Sequence, residues 1–277
     1  MLNEKIELLG KGLYTDIPDV LTLTSIPTAS ELEYVGSEDY DVTMLDKILP
    51  QAVVEKGADG KPFNFRNLLE IDYHWICRCL RILNYGPYHT THTIYCTNCN
   101  STSHGEYQVN LMTMECKSLP EGFQNEVTIP ADAFIDFEGE VKLKLPTIQQ
   151  MLNAHKDKAF INEKGRVNNE LARMCYSISS IKGKKGLNPV EVKLMIQKEF
   201  SPADYVLLKE EYSKLTDYGL RAGGLAQCPK CGSLEANFIA LVDDRFFRPT
   251  VGDLRKWKQH RSTGQAKDVS GSETAAV

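Results

Sequence analysis

Cys96 and Cys99 in CTNC, and Cys228 and Cys231 in CPKC, stand at the spacing that lets two thiolates converge on one cation. Thiolates are soft donors, and four of them complete the tetrahedron that zinc adopts in structural sites. Pro229 lies inside the second turn and Gly232 follows it, where glycine admits the backbone conformation required after the second ligand. Each pair is trailed by an alternating stretch, GEYQVNL at 105–111 and EANFIALV at 235–242, which predicts a strand. Knuckle, strand, knuckle, strand is the layout of a zinc ribbon with a long insertion. Cys96, Cys99, Cys228 and Cys231 are therefore the candidate metal ligands, with structural zinc as the expected ion. Four thiolates leave no position open for an activated water, and neither HExxH nor HxE with PCxxC occurs to suggest a catalytic site.

The 128 residues between Cys99 and Cys228 do not forbid that site. Closing a flexible loop of such length costs about 4 kcal/mol plus a constant, because the cost grows with the logarithm of length. A structural zinc contributes on the order of 10 to 16 kcal/mol of apparent binding free energy. A local rival consists of Cys96 and Cys99 with His89, His92 or His104, and a chain without metal is a third reading. The four-cysteine set is preferred because two CxxC pairs each lead into a strand, whereas histidines in a polar loop are usually solvated. Cys77, Cys79, Cys116 and Cys175 lie in apolar or helical surroundings and read as core packing.

The elements that must position these ligands follow from pattern. The chain has 277 residues, 42% hydrophobic and 25% charged, enough to bury a core without disulfides. No apolar run approaches the roughly 18 residues of a membrane span, and MLNEKIELLG is too charged for a signal peptide. A soluble protein in a reducing cytosol is expected, where thiols ligate metals or pack as thiols. The net charge of −5 gives no electrostatic footprint for nucleic acid.

Three stretches, LTLTSIPTASELEYV at 21–35, VKLKLPTIQQMLNAH at 141–155 and DRFFRPTVGDLRKWK at 244–258, run an apolar segment through Pro-Thr into a helical pattern. Thr28, Thr147 and Thr250 precede Glu31, Gln150 and Asp253 by three residues, the spacing of a capping box. These predict strand-to-helix corners, equally readable as an internal repeat or as common loop chemistry. FNFRNLLEIDYHWICRCLRILNYG at 63–86 places Phe65, Leu68, Leu69, Asp72, Trp75, Ile76, Cys79, Leu80 and Leu83 at helical spacings and predicts an amphipathic helix ended by Gly86 and Pro87. Asp72, Arg78 and Arg81 are expected on a solvated or paired face. Farther on, VNNELARMCYSISSI, NPVEVKLMIQKEF and SPADYVLLKEEYSKLTDYGL predict helices, and KGKKG at 182–186 an exposed connection.

The expected fold is α+β: a zinc-ribbon-like β module formed by two distant knuckles, a long helix in the N-terminal half and a helical insertion. Its segments are 1–60, a strand and helix opening; 61–116, the long helix with the first knuckle and strand; 117–222, the inserted strand and helical subdomain; 223–261, the second knuckle, strand and terminal helix; and 262–277, a small polar tail expected to be disordered.

LLGKGLYTDIPDVLTLTSIPT, LLEIDYHWICRCLRILNYGPY leading into YCTNC, VKLKLPTIQQM, and CPKCGSLEANFIALVDDRFFRPT together resemble the baseplate hub assembly proteins of contractile-tailed bacteriophages. The likeness spans roughly residues 9–257, and the order of the segments carries more of it than any single motif. The Pro and Ser that often precede the first Lys and Gly in that family are missing here. The resemblance implies a zinc-ribbon-like cysteine arrangement, at Cys96, Cys99, Cys228 and Cys231, and a non-enzymatic role in the tail baseplate through contacts with other tail proteins. It also implies residence in the host bacterial cytoplasm during assembly, or in the virion tail. Self-association is compatible with it, whereas membrane and nucleic-acid partners are not expected. The alternative from the residues alone is a zinc-ribbon nucleic-acid-binding protein, which the acidic balance disfavours.

Overall fold

The computed structural model of the chain describes residues 3–96, 98–162, 165–221, 223–238 and 246–262. The expected disordered tail, from 263 on, lies outside the described residues, as do 239–242 of the second expected strand and 244–245 of the third corner. The described part mixes helix and sheet, 43% and 22%, so the class is α+β. Two compact units divide the chain: the first is Met1–Phe65, His74–Lys117 and Leu220–Val277, the second Arg66–Tyr73 and Ser118–Gly219.

In the first unit, β1 (Asn3–Glu7) pairs antiparallel with β2 (Val20–Thr24), Ile6 opposite Leu21. The alternation in VLTLT turns Leu21 and Leu23 wholly inward. Helix α1 (Thr28–Val35) starts one residue earlier than the Thr28 capping box requires. Pro27 occupies the capping position and offers no side-chain bond, so Thr28 sits inside the helix. Helix α2 (Tyr40–Thr43), a π-helical turn at Met44–Ile48 and α3 (Leu49–Ala52) continue one another and bury Met44, Leu45, Ile48 and Leu49.

Helix α4 (Glu70–Tyr85) is shorter than the expected 63–86. Residues 65–67 form a 3-10 turn, and Leu68 and Leu69 are held out of the helix: the Leu68 carbonyl accepts the Ile148 N–H at 2.8 Å, and Leu69 bridges Thr147. Of the expected solvated or paired face, the solvated alternative fails: Asp72, Arg78 and Arg81 are buried, and both arginines are paired with backbone carbonyls; the helix is enclosed nearly all round. It ends where expected, at Gly86 with φ of 80°.

The stretch YHTTHTIYC, expected as a polar loop, is strand β3 (Tyr88–Cys96), antiparallel to β4 (Ser101–Asn110). Its threonines, tyrosines and isoleucine suit a pleated surface, and a bulge between Thr91 and Thr93 breaks the period of two that would have announced it. The short strand β5 (Cys116–Lys117) follows.

The second unit holds a four-stranded antiparallel sheet in the order β6 (Val127–Ile129), β7 (Val141–Leu143), β8 (Ile178–Ile181), β9 (Lys184–Lys185), as its elements interleave with helices. Between β7 and β8 lie α5 (Ile148–Lys156) and α6 (Asn169–Ser177). At the entrance to α5 the expected box forms, Thr147 and Gln150 each accepting the other's backbone N–H. The ISSI end of the expected helix is strand β8 instead, because Ile178 and Ile181 pair with β7 and bury there. KGKKG is the hairpin turn into β9, with Lys182 and Gly183 left-handed at 51° and 73°. Helices α7 (Pro189–Glu199) and α8 (Pro202–Thr216) begin at reciprocal boxes, Asn188 with Glu191 and Ser201 with Asp204, each with proline in the first turn.

The chain then forms β10 (Gly219–Leu220), the antiparallel pair β11 (Gly223–Gln227) and β12 (Leu234–Phe238), and α9 (Val251–Ser262). The last three belong to the first unit.

Candidate metal centre

Each CxxC is the turn of a hairpin. Cys96 closes β3 and pairs with Ser101 at the start of β4; Cys228 and Cys231 lie between β11 and β12, where the Cys228 N–H bonds the Ser233 carbonyl at 2.8 Å. The residue after each second cysteine is left-handed, Asn100 at φ 52° and Gly232 at φ 74°. Asparagine tolerates that region better than most side chains, which explains how the first turn manages without glycine. Strand β12 lies beside β3 and β11 beside β4, so the two turns arrive at one end.

There the four sulfurs meet, all within 4.8 Å of one another. Cys96 Sγ stands 3.6 Å from Cys231 Sγ, and Cys99 Sγ 3.8 Å from Cys228 Sγ. These are not disulfides, whose sulfurs lie about 2.05 Å apart. A tetrahedron with metal–sulfur bonds of about 2.3 Å has edges of about 3.8 Å, and the two crossing separations match it. Cys96 and Cys228 are buried, Cys99 and Cys231 exposed.

The surroundings favour the thiolate at Cys231 and Cys228 and oppose it at Cys96. Cys231 is drawn down to about 6 by the Ser233 hydroxyl, then by the Ser233 N–H and the Asn98 amide. Cys228 is lowered by the Cys231 N–H, which outweighs its burial, with help from the Lys230 N–H. Cys96 is pushed up to about 11 by burial, even though the Cys99 N–H points at its sulfur from 3.5 Å. A bound cation would reverse that, since ligation deprotonates the thiol. The donor set, the spacing and the N–H groups aimed at sulfur all fit a thiophilic cation, so the cluster could hold a metal ion.

Two serines repeat across the turns: Ser101 Oγ lies 3.0 Å from Cys99 Sγ, and Ser233 Oγ 3.0 Å from Cys231 Sγ. The sequence carries the signal, CTNCNS and CPKCGS, in a serine two residues past each second cysteine. The rival histidines are elsewhere. His89 is buried against the Phe246 ring, centroids 5.8 Å apart, while His92 and His104 are exposed, His104 Nδ1 3.3 Å from the Thr93 hydroxyl. Among the described residues, the four cysteines are the only group of His, Cys, Asp or Glu with metal-holding geometry.

The remaining cysteines behave differently. Cys77, Cys79 and Cys175 are buried and Cys116 is half-buried. Burial pushes the thiols of Cys79 and Cys175 up to about 12, which makes them inert.

A second fastening, not legible from the motifs, lies at the other end of β3. Arg81 is wholly buried. Its Nη1 donates to the Gly86 carbonyl at 2.7 Å, its Nη2 to the Tyr88 carbonyl at 2.8 Å and its Nε to the Phe246 carbonyl. Burial lowers its pKa to about 10, with Asp253 opposing, so it keeps its charge at neutral pH. Asp253, 1% exposed, accepts from the Thr90 hydroxyl at 2.8 Å and Gln108 at 3.0 Å through Oδ1. Its Oδ2 accepts from the N–H and hydroxyl of Thr250, each at 2.9 Å.

Set against known proteins, the chain matches no family model, no curated protein and no solved structure.

Proposed function

We propose that the protein is a structural or assembly component of a bacteriophage tail baseplate, working without turnover, in which Cys96, Cys99, Cys228 and Cys231 hold one structural zinc. On this reading the β3–β4 and β11–β12 hairpins make a ribbon-like module. The observation that carries it is the meeting of four sulfurs from turns 128 residues apart. Four thiolates fill a zinc tetrahedron, so the ion supplies rigidity and leaves no position for a reactive water. The baseplate assignment is supported by the order of the segments that resemble baseplate hub assembly proteins, from LLGKGLYTDIPDV to CPKCGSLEANFIALV. A net charge of −5 favours protein partners over a polyanion.

The test is co-expression with the tail proteins of a contractile-tailed bacteriophage, with zinc measured per chain. One zinc per chain, lost in Cys228→Ser, and co-elution with a tail protein are expected. Unchanged zinc and unchanged melting in Cys228→Ser overturn the metal assignment. Failure to co-elute, together with DNA or RNA binding that weakens steeply with salt, overturns the baseplate assignment in favour of a nucleic-acid-binding zinc ribbon.

A further inference from the structure

Charge is segregated within the first unit. Residues 28–50, which include α1, carry six carboxylates against Lys47, whereas residues 246–262, which include α9, carry five Arg and Lys against Asp253. Asp253 is buried, so the outward charge of α9 is cationic.

The faces of these helices sharpen the contrast. On α9, Trp257 lies over Gly86, where a Cβ would strike its indole, Lys256 reaches Gln108 and lies over the Tyr88 ring at 4.6 Å, and Asp253 binds Thr90. That stripe faces the protein. The opposite stripe, Val251, Leu254, Arg255 and Lys258, has the 0, 3, 4, 7 spacing of one helical face and is exposed, with Val251 at 64% and Leu254 at 42%. Arg255 and Lys258 form no ion pair among the described residues. On α1, Ser30 and Tyr34 face inward. Ala29, Leu32 and Glu33 face outward at the same 0, 3, 4 spacing, and Leu32 is 67% exposed. Glu33 is engaged only by Lys47 at 3.1 Å, a bridge between two side chains that are each 55% exposed, and such a bridge contributes little.

We propose that the outward face of α9 docks on the outward face of α1 of a second copy of this chain. Leu254 and Val251 would meet Leu32 while Arg255 and Lys258 meet Glu33 and Glu38, the latter exposed three residues past the end of α1. Each contact pairs α9 of one copy with α1 of another, either twice over in a closed two-fold dimer or head to tail in a ring or filament. The complementarity selects the occupant: aliphatic residues at matching spacing and opposite charge occur on the same chain. The proposal does not depend on the metal.

Sedimentation velocity on the full chain tests it, at about 50 mM and about 500 mM salt, where screening differs severalfold in length. Association at low salt that weakens at high salt is expected. Arg255→Glu with Lys258→Glu weakens it by about tenfold or more, and so does Glu33→Lys with Glu38→Lys in a separate chain. Mixing the two reversed chains restores association, since each then offers the other a complementary face. Leu254→Ser, which leaves every charge in place, weakens it as well. A wild-type chain that is monomeric at both salts overturns the proposal, as do reversed chains that associate like wild type or fail to recover on mixing. Binding of a DNA duplex through Arg255 and Lys258 by a monomeric chain would assign the face to a polyanion instead.

Discussion

The two ends of β3 fasten the chain's last two described segments by opposite means. At the far end, the sulfurs of Cys96 and Cys99 meet those of Cys228 and Cys231. At the near end, Arg81 gathers the carbonyls of Gly86, Tyr88 and Phe246, and Asp253 takes up Thr90 and Gln108. The near end is held by the chain's own groups: a buried cation whose three nitrogens each donate to a carbonyl and a buried carboxylate with four hydrogen bonds. The far end is a set of donors whose thiols resist ionisation at Cys96 and favour it at Cys231. The near fastening is made by the chain's own groups, whereas on the proposed reading the far one is completed by a cation.

Chelation separates the two most widely. If the four sulfurs hold the proposed zinc, removing it, or changing Cys228 to Ser, should forfeit most of the roughly 10 to 16 kcal/mol of apparent metal binding and loosen the turns. Trypsin should then cut after Lys230, which in the closed tip bonds the Thr102 carbonyl at 3.4 Å. The near-UV signal of Trp257, seated over Gly86, should persist. Loss of that signal along with the tip would mean that the fastenings are one cooperative unit. Next in size is Arg81→Met, which leaves three carbonyls without their donor at about 1 to 3 kcal/mol for each buried group. The urea midpoint should fall by the equivalent of about 3 kcal/mol or more. A midpoint shifted by less than a third of that would show that water replaces the guanidinium.

Acidification should part the fastenings in the same order. Thiolate ligands compete with protons, so the metal should leave as the solution becomes mildly acidic. Asp253 is desolvated, which raises its pKa, yet the hydrogen bonds from Gln108, Thr90 and Thr250 leave it lower than usual. A carboxyl lowered in the folded state contributes stability that is present above the unfolded value near 3.9 and is lost as pH falls through the lower folded value. At about pH 5 the base should stand while the tip has released its ion. Zinc release and Trp257 fluorescence, followed on one titration, check the order; coincident transitions would refute it.

Why the tip could be read from the sequence and the base could not is a matter of locality. A CxxC turn states its chemistry in four residues, and its trailing serine and left-handed residue lie within two more. Arg81 binds backbone carbonyls, which leave no side-chain signature, and one of them is 165 residues away. Helical spacing placed Arg78 and Arg81 on a polar stripe, but α4 is enclosed on that side too. The strand around the rival histidines was missed for a related reason: His92 is the bulged residue between Thr91 and Thr93, so the alternation that would have marked a strand was interrupted. Caps fared well where the box is self-contained, as at Thr147 and Thr250. They failed at Thr28, where Pro27 and the Glu31 contact with Tyr85 decided the helix start.

The smallest effect is also the most discriminating at the base. Thr250 serves Asp253 twice, and the Asp253 N–H returns a bond to Thr250 Oγ1 at 3.1 Å. Thr250→Ala removes the cap and one of the four donors on the carboxylate, but the Thr250 N–H, Thr90 and Gln108 remain. Loss of a threonine cap costs about 1 kcal/mol. If Asp253 matters only as the partner of a helix cap, that cost is the whole effect and the acid limb of stability stays where it was. If Asp253 is the base's buried anion, removing a donor raises its folded pKa, and the acid limb moves to higher pH. Urea midpoints for Thr250→Ala between about pH 3 and pH 6 distinguish the two. An upward shift is expected, because the carboxylate is almost fully enclosed and each lost donor must be felt by its charge.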